Sequence, residues 1–242
     1  MLEINEKLKK NVFKGLLISI FIIGVFVRVY GIDKMPNALN VDEASSGYDA
    51  FSIMKYGVDR NGNSFPVVLY AWGSGQSILY SLMSIPFIAI FGLTEFSMRI
   101  AMAIIGGISL IAMYFLLKNI FDNKKIATIG MAFFAICPWH IMKSRWGMDC
   151  NLFPDLILFA ILFLILGVKR KKTIWQILSF VMLGISSYSY ATSYLFLPIF
   201  VGITLVYLIY KKEISLKRSV RIFRNSFCDF FAIDSLFSYK YF

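Results

Sequence analysis

Six stretches of this sequence are long and apolar enough to cross a bilayer as helices, roughly residues 12–30, 98–117, 125–142, 152–168, 173–190 and 192–210. A span takes about 20 apolar residues to bridge a hydrocarbon core ~30 Å thick, and within that core every backbone polar group must be bonded inside the protein. Repeated spans of this kind predict an all-α, polytopic membrane protein with about six transmembrane helices. Composition agrees: 58% of the residues are hydrophobic and 16% charged. A water-soluble domain of mean hydropathy +0.70 would have nowhere to bury its apolar surface.

A seventh apolar stretch, 76–92, is short and interrupted by Pro86, and the basic residues decide how it is read. Four lysines precede the first span (Lys7, Lys9, Lys10, Lys14), and three sit in 118–125 (Lys118, Lys124, Lys125). Four more cations fill 169–172 (Lys169, Arg170, Lys171, Lys172), and six lie in 211–224 (Lys211, Lys212, Lys217, Arg218, Arg221, Arg224). If 76–92 does not cross, all four clusters fall on the cytoplasmic side, as the positive-inside rule requires; if it crosses, the last three move outside. The stretch therefore reads as an interfacial helix, lying at or dipping into the outer surface, inside one extracytoplasmic region from Gly31 to Arg99.

The net charge of +11 is on this reading a topology signal, and it does not point to nucleic acid. The first apolar run meets no small-residue cleavage site at Phe26–Tyr30, so it reads as an uncleaved span of a multi-pass plasma-membrane protein with its N-terminus in the cytoplasm. Cys137, Cys150 and Cys228 are too scattered for a disulfide framework or metal cluster. Residues 1–210 form one membrane module with 31–99 as its extracytoplasmic loop, and 211–242 a basic cytoplasmic segment with an atypical tail. That tail, SFCDFFAIDSLFSYKYF, reads either as an interfacial segment or as the scar of a truncated or frameshifted reading frame.

Chemistry concentrates in the extracytoplasmic parts. NVDEASSGYDAF, Asn40–Phe51, places Asp42 and Glu43 shortly after the first span. A carboxylate beside apolar walls is costly, and it can be matched to proton abstraction. Adjacent residues point in different directions, so Asp42 is the candidate general base and Glu43 an orienting or acceptor-contacting residue. A plainly solvated acidic loop is the alternative.

Arg28, Arg99 and Arg145 lie at outer span ends, where guanidinium groups converging on one face suit a phosphate; snorkelling to lipid head groups is the simpler reading of each. In PWHIMKSRWGMDCNLFPD, Pro138–Asp155, Pro138 ends or kinks the third span, and His140, the single histidine, stands near the same face. Asp149 with Asp42 could hold a divalent cation; no other cofactor reading arises from the sequence. Trp72, in the Gly-rich turn YAWGSGQS, either stacks on a sugar or simply begins the interfacial helix.

The order of motifs resembles a known family. VDEA (41–44), FGLTEFSMR (91–99), YFLLKNIF (114–121) and PWHIMKSRWGMD (138–149) are similar to the N-terminal module of polyprenyl-phosphate-dependent membrane glycosyltransferases. That group includes protein O-mannosyltransferases and the lipid A aminoarabinose transferase, with the oligosaccharyltransferase catalytic subunit as a more distant fold relative. The resemblance covers about 1–210 and implies an outward-facing site whose first external loop supplies the catalytic carboxylate, here Asp42. It further implies phosphate-facing cations at Arg99 and Arg145 and a second acid at Asp149. Relatives carry several further spans and often a C-terminal extracytoplasmic domain, which this sequence does not show.

The resulting expectation is an inverting glycosyltransferase that moves a sugar from a polyprenyl-phosphate donor to a lipid, glycan or protein acceptor hydroxyl outside the cytoplasm. The alternatives are a transporter or flippase of lipid-linked or anionic solutes, and a noncatalytic fragment. Transporters usually show midplane charges and inverted repeats, and neither is evident in this sequence.

Overall fold

The computed structural model describes residues 2–71 and 74–211. Nine helices and one hairpin occur among them: α1 (Leu2–Val29), α2 (Val41–Tyr56), β1 (Val68–Ala71), β2 (Ser74–Ser77), α3 (Ile78–Phe91), α4 (Glu95–Phe121), α5 (Lys124–Ile136), α6 (Pro138–Arg145), α7 (Asp149–Arg170), α8 (Thr173–Ser187) and α9 (Ser193–Tyr210). The tail beyond Lys211 and the turn residue Trp72 lie outside the described residues.

Four helices are long and apolar enough to cross a membrane: α1 from Lys10, α4, α7 and α9. The expected third span is broken. Cys137 is extended, Pro138 begins α6, and α5 and α6 meet at a bend of 57°. Proline cannot donate into the preceding turn but suits a helix start, so the break falls where Pro138 puts it. The pair counts as a fifth span if taken together. The expected span at 173–190 is the 15-residue α8, whose length of about 22 Å falls short of a ~30 Å core.

α3 lies across one end of the bundle. Its first turn meets the start of α7, where Ser77 N donates to Asp149 Oδ2 at 3.0 Å, and the end of α8, where Leu79 N donates to the Tyr188 carbonyl at 3.3 Å. Its last turn is followed within a few residues by the capping box of α4, in which Thr94 and Ser97 exchange hydrogen bonds. Tyr80 and Ile88 are about 12 Å apart along α3, yet both reach Met98, so α3 crosses the start of α4. At 14 residues α3 is shorter than the four long apolar helices, and it packs on the start of α4.

Beneath α3, a core of Tyr80, Ala101, Met102, Leu152 and Leu156 joins α3, α4 and α7, and Leu116, Leu158, Leu162 and Leu166 continue it along α4 and α7. Outward faces are apolar too, as at Ile22 (59% exposed) in α1 and Val206 (69%) in α9. That pattern suits helices whose solvent is lipid. Small residues let helices approach: Gly106 of α4 lies against Ser144 of α6 and the Arg28 stem, with no room for a Cβ.

Gly106→Ala is expected to lower the detergent melting temperature, with an overpacking cost of about 1–3 kcal/mol. Gly15→Ala, which meets nothing within 4 Å, should leave it unchanged or slightly raised. Equal melting of both variants would show that α4 and α6 are not in close contact.

Candidate active site

The acidic stretch after the first span forms the start of α2. Asn40 caps it, its side chain accepting from Asp42 N at 2.9 Å, and the two acids occupy the first turn, where carboxylates favour the positive helix end. Gly57, at φ 72°, closes the helix by donating to the Ile53 carbonyl. Successive helical residues lie about 100° apart, so Glu43 and Asp42 enter different surroundings.

Glu43 points inward and is fully buried. Its carboxylate takes a two-pronged contact from Arg99 of α4, Nε to Oε1 at 2.7 Å and Nη2 to Oε2 at 2.9 Å, and a further bond from Gly147 N at 2.9 Å. Arg99, also fully buried, gives its remaining N–H groups to the carbonyls of Ile32 (3.0 Å), Pro36 (3.0 Å) and Ala38 (2.8 Å). All five guanidinium donors are thereby used. Gly147 must be glycine for this contact: a Cβ would come within 2.6 Å of the Tyr80 hydroxyl and 2.8 Å of the Met98 carbonyl. Tyr80 donates to that same carbonyl, and burial pushes its phenol well above the usual tyrosine range, so it remains a donor at any physiological pH.

Asp42 points the other way, half-buried, and its carboxylate has no hydrogen-bond partner among the described residues. Asp149, at the start of α7, lies near enough to feel its charge. Asp149 is held by Ser77 N and by Cys150 N at 2.7 Å. The hairpin fixes the space between them. In β1, Leu69 and Ala71 face inward, and Gln76, opposite Leu69, donates to the Asp42 carbonyl (3.0 Å) and Ser46 Oγ (2.8 Å) while accepting from Ser45 Oγ (3.0 Å). Among the described residues no set of three or more His, Cys, Asp or Glu gathers as a metal cage.

The other candidates form separate centres. Arg28 donates to the carbonyls of Gly24 (2.6 Å), Ala135 (3.1 Å) and Phe134 (3.2 Å) and to His140 Nδ1 (2.7 Å). It thus satisfies the carbonyls freed where α5 stops. Because Nδ1 accepts, His140 carries its hydrogen on Nε2 and donates to Asp155 Oδ1 at 3.2 Å, and Lys143 donates to the other oxygen of Asp155. Arg145, half-buried, binds the carbonyls of Val27 (2.8 Å), Gly31 (3.1 Å) and Met35 (2.9 Å), closing the end of α1 and keeping one Nη1 hydrogen without an acceptor among the described residues. The structure therefore brings Asp42, Glu43, Arg99, Asp149 and Gly147 together and sets Arg28 and His140 in a second centre.

Sequence reasoning missed the Lys143–Asp155 pair, Gln76, and the contact between Asp49 and Arg60. Lys143 follows His140 by three residues, a spacing that puts both on one helix face, and this was the available signal.

Arg99→Met should cost about 3–5 kcal/mol, because it leaves a buried carboxylate with one backbone donor. The double variant Glu43→Gln, Arg99→Met should cost less than the sum of the two single changes, read as detergent melting in a double-mutant cycle. Additive costs would mean the pair does not interact.

Residues 76–224, more than half of the chain, match the family model described as dolichyl-phosphate-mannose-protein mannosyltransferase. The match begins at Gln76, so Asp42 and Glu43 precede it. The fold resembles the Archaeoglobus fulgidus oligosaccharyltransferase in its apo crystal structure (TM-score 0.63, 16% identity, 81% of this chain and 26% of that one). It also resembles A. fulgidus AglB in complex with an inhibitory peptide and a dolichol-phosphate (TM-score 0.61, 16% identity, 80% and 25%). A third similar structure is ArnT from Cupriavidus metallidurans bound to undecaprenyl phosphate (TM-score 0.59, 12% identity, 93% and 41%). At these identities the likeness is one of fold, and the chain spans between 25% and 41% of the length of those proteins. No curated protein sequence matches it. A polytopic bundle that lays a short helix and a carboxylate-bearing helix across one end, together with a family match over most of that bundle, places this chain in the dolichyl-phosphate-mannose-protein mannosyltransferase family of membrane glycosyltransferases.

Proposed function

We propose that the protein is a glycosyltransferase that moves a sugar from a polyprenyl-phosphate donor to an acceptor hydroxyl at the extracytoplasmic surface of the plasma membrane. The module is 1–210, its site is built on the loop 31–99, and 211–242 is a cytoplasmic segment. The observation that carries the reading is the free carboxylate of Asp42. Glu43, Asp49, Asp149 and Asp155 all accept hydrogen bonds, whereas Asp42 stands open beside Asp149.

In this reaction the acceptor oxygen attacks the anomeric carbon, and Asp42 takes the hydroxyl proton. The bond from that carbon to the phosphate oxygen breaks with inversion, and the polyprenyl phosphate leaves with the electron pair. Phosphate is a good leaving group already, so one base and local donors for the phosphate are what the enzyme must supply. Glu43 orients Asp42 by anchoring the first turn of α2, and Arg99 serves as its anchor post, since its donors are all used. Among the arginines at the span ends, Arg145 retains an N–H for the phosphate.

One observation favours a second reading as transporter or flippase. Arg28, His140, Lys143 and Asp155 are buried where α5 and α6 break, and ionisable groups on broken helices are a transporter feature. A transporter would keep its flux when the Asp42 carboxylate is replaced.

In full-length protein, Asp42→Asn is expected to reduce sugar transfer about 10²–10⁴-fold with unchanged melting temperature. Retained transfer would remove Asp42 as the base. In a cysteine-free background, a membrane-impermeant thiol label should reach Asn61→Cys from outside intact cells and Asn123→Cys only after the inner face is opened. The reverse pattern would overturn the proposed side of the site.

A further inference from the structure

The arginines that the sequence placed at the outer face have spent most of their donors on carbonyls and on Glu43, and Arg145 among them keeps one N–H, so a phosphate arriving beside Asp42 gains from a further cation with two. Arg60 has that capacity. It lies in the turn after α2 and is held from three directions: its backbone N donates to Asp49 Oδ1 at 3.0 Å, and Nε and Nη2 donate to Asp49 Oδ2 at 3.1 and 2.7 Å. Nη2 also donates to Ser45 Oγ. Both hydrogens of Nη1 are without an acceptor among the described residues, and that nitrogen is not one of the enclosed, unpartnered atoms. The Arg60 side chain is 26% exposed, whereas that of Asp49 is fully buried.

The turn itself is braced. Asp59 Oδ1 accepts from the backbone of Asn61 (2.9 Å) and Asn63 (2.8 Å), and Oδ2 accepts from Asn63 Nδ2 (2.9 Å). The Arg60 guanidinium is therefore fixed before any ligand arrives. Its place near the base follows from α2: Ser45, whose hydroxyl accepts from Nη2, lies one helical turn after Asp42 on the same helix. A guanidinium that presents two free N–H groups is chemically matched to phosphate oxygens.

We propose that Arg60, aimed by the buried Asp49, is the residue that receives the phosphate of the lipid-linked donor. Arg60 is the ligand-contacting group, and Asp49 is a positioning residue that acts through it. The assignment rests on the glycosyl-transfer reading above and adds to it the residue that recognises the donor.

The test uses full-length protein in detergent, with farnesyl phosphate, farnesol and inorganic phosphate as ligands in calorimetric titrations. Because R60Q alone leaves the buried Asp49 carboxylate unpaired, the variant that carries the test is R60Q with D49N, with R60K as the conservative control. Wild type should bind farnesyl phosphate about tenfold or more tightly than farnesol, the scale of charge-assisted hydrogen bonds. The double variant should lose that preference while keeping its farnesol affinity, and R60K should retain part of it. An unchanged preference in the double variant, or an equal loss of both ligands, would overturn the proposal. Inorganic phosphate binding as tightly as farnesyl phosphate would overturn it as well, since the site would then take free anions. The two readings separate cleanly: Asp42-dependent transfer with an Arg60-independent phosphate preference retires Arg60 alone. An Arg60-dependent preference in a protein that transfers no sugar retires the transfer reading alone.

Discussion

Taking a carboxylate and a guanidinium out of water costs several kcal/mol per ion, and the cost is recovered when the geometry is close and the remaining donors find acceptors. The Glu43–Arg99 contact meets both conditions. Every N–H of Arg99 has an acceptor, and Glu43 takes Gly147 N in addition to Arg99. Four pieces of chain are tied to this point: the loop through Ile32 and Ala38, the first turn of α2, the first turns of α4, and the connector from α6 to α7. Because Glu43 is committed inward, the neighbouring Asp42 is turned about 100° away and left open toward Asp149. The position of the candidate base is thus a consequence of its neighbour's burial.

Pairing also permits the broken helix, although Arg28 Nε stays without a partner among the described residues. A helix that stops inside a membrane bundle exposes carbonyls that have no water to bond. Arg28 supplies donors to the carbonyls of Phe134 and Ala135, and through His140 it is linked to the carboxylate of Asp155, which also takes Lys143. The break gives α6 the direction that brings Gly147 to Glu43. The two charged centres, separated in space, are in this way mechanically connected through one short helix of eight residues.

Most of the apolar segments and the break at Pro138 were legible in the sequence because length and proline chemistry each carry a local signal, whereas the span expected at 173–190 is a helix of 15 residues. The partners of the arginines were not. Arg99 reaches Glu43 across 56 residues and binds loop carbonyls, and a carbonyl is offered by every residue type. Arg28, Arg99 and Arg145 therefore looked alike in sequence, although their free donors differ. The hairpin escaped notice because Ser74–Ser77 has no apolar alternation and owes its place to Gln76, whose side chain joins it to Ser45 and Ser46 of α2. The resemblance singled out Asp42 and Asp149 one by one, but nothing in the residues alone showed that Asp42 would lie near Asp149 with its carboxylate unbonded among the described residues.

Charge at this end of the bundle bears on which anions can enter. Glu43 and Asp49 each have an arginine partner, whereas Asp42 and Asp149 have no cationic partner among the described residues. The Arg145 guanidinium, whose partners are carbonyls, adds a cation without a carboxylate partner at the same end, so acids and bases stand there side by side. On the transfer reading proposed above, the donor is anchored by a polyprenyl chain and arrives along the membrane. It is held at the membrane by its tail, so its phosphate needs directed N–H groups at the end of its path and no long-range attraction. On that reading the Arg60 guanidinium, held in place by Asp49 before a ligand arrives, supplies such directed groups.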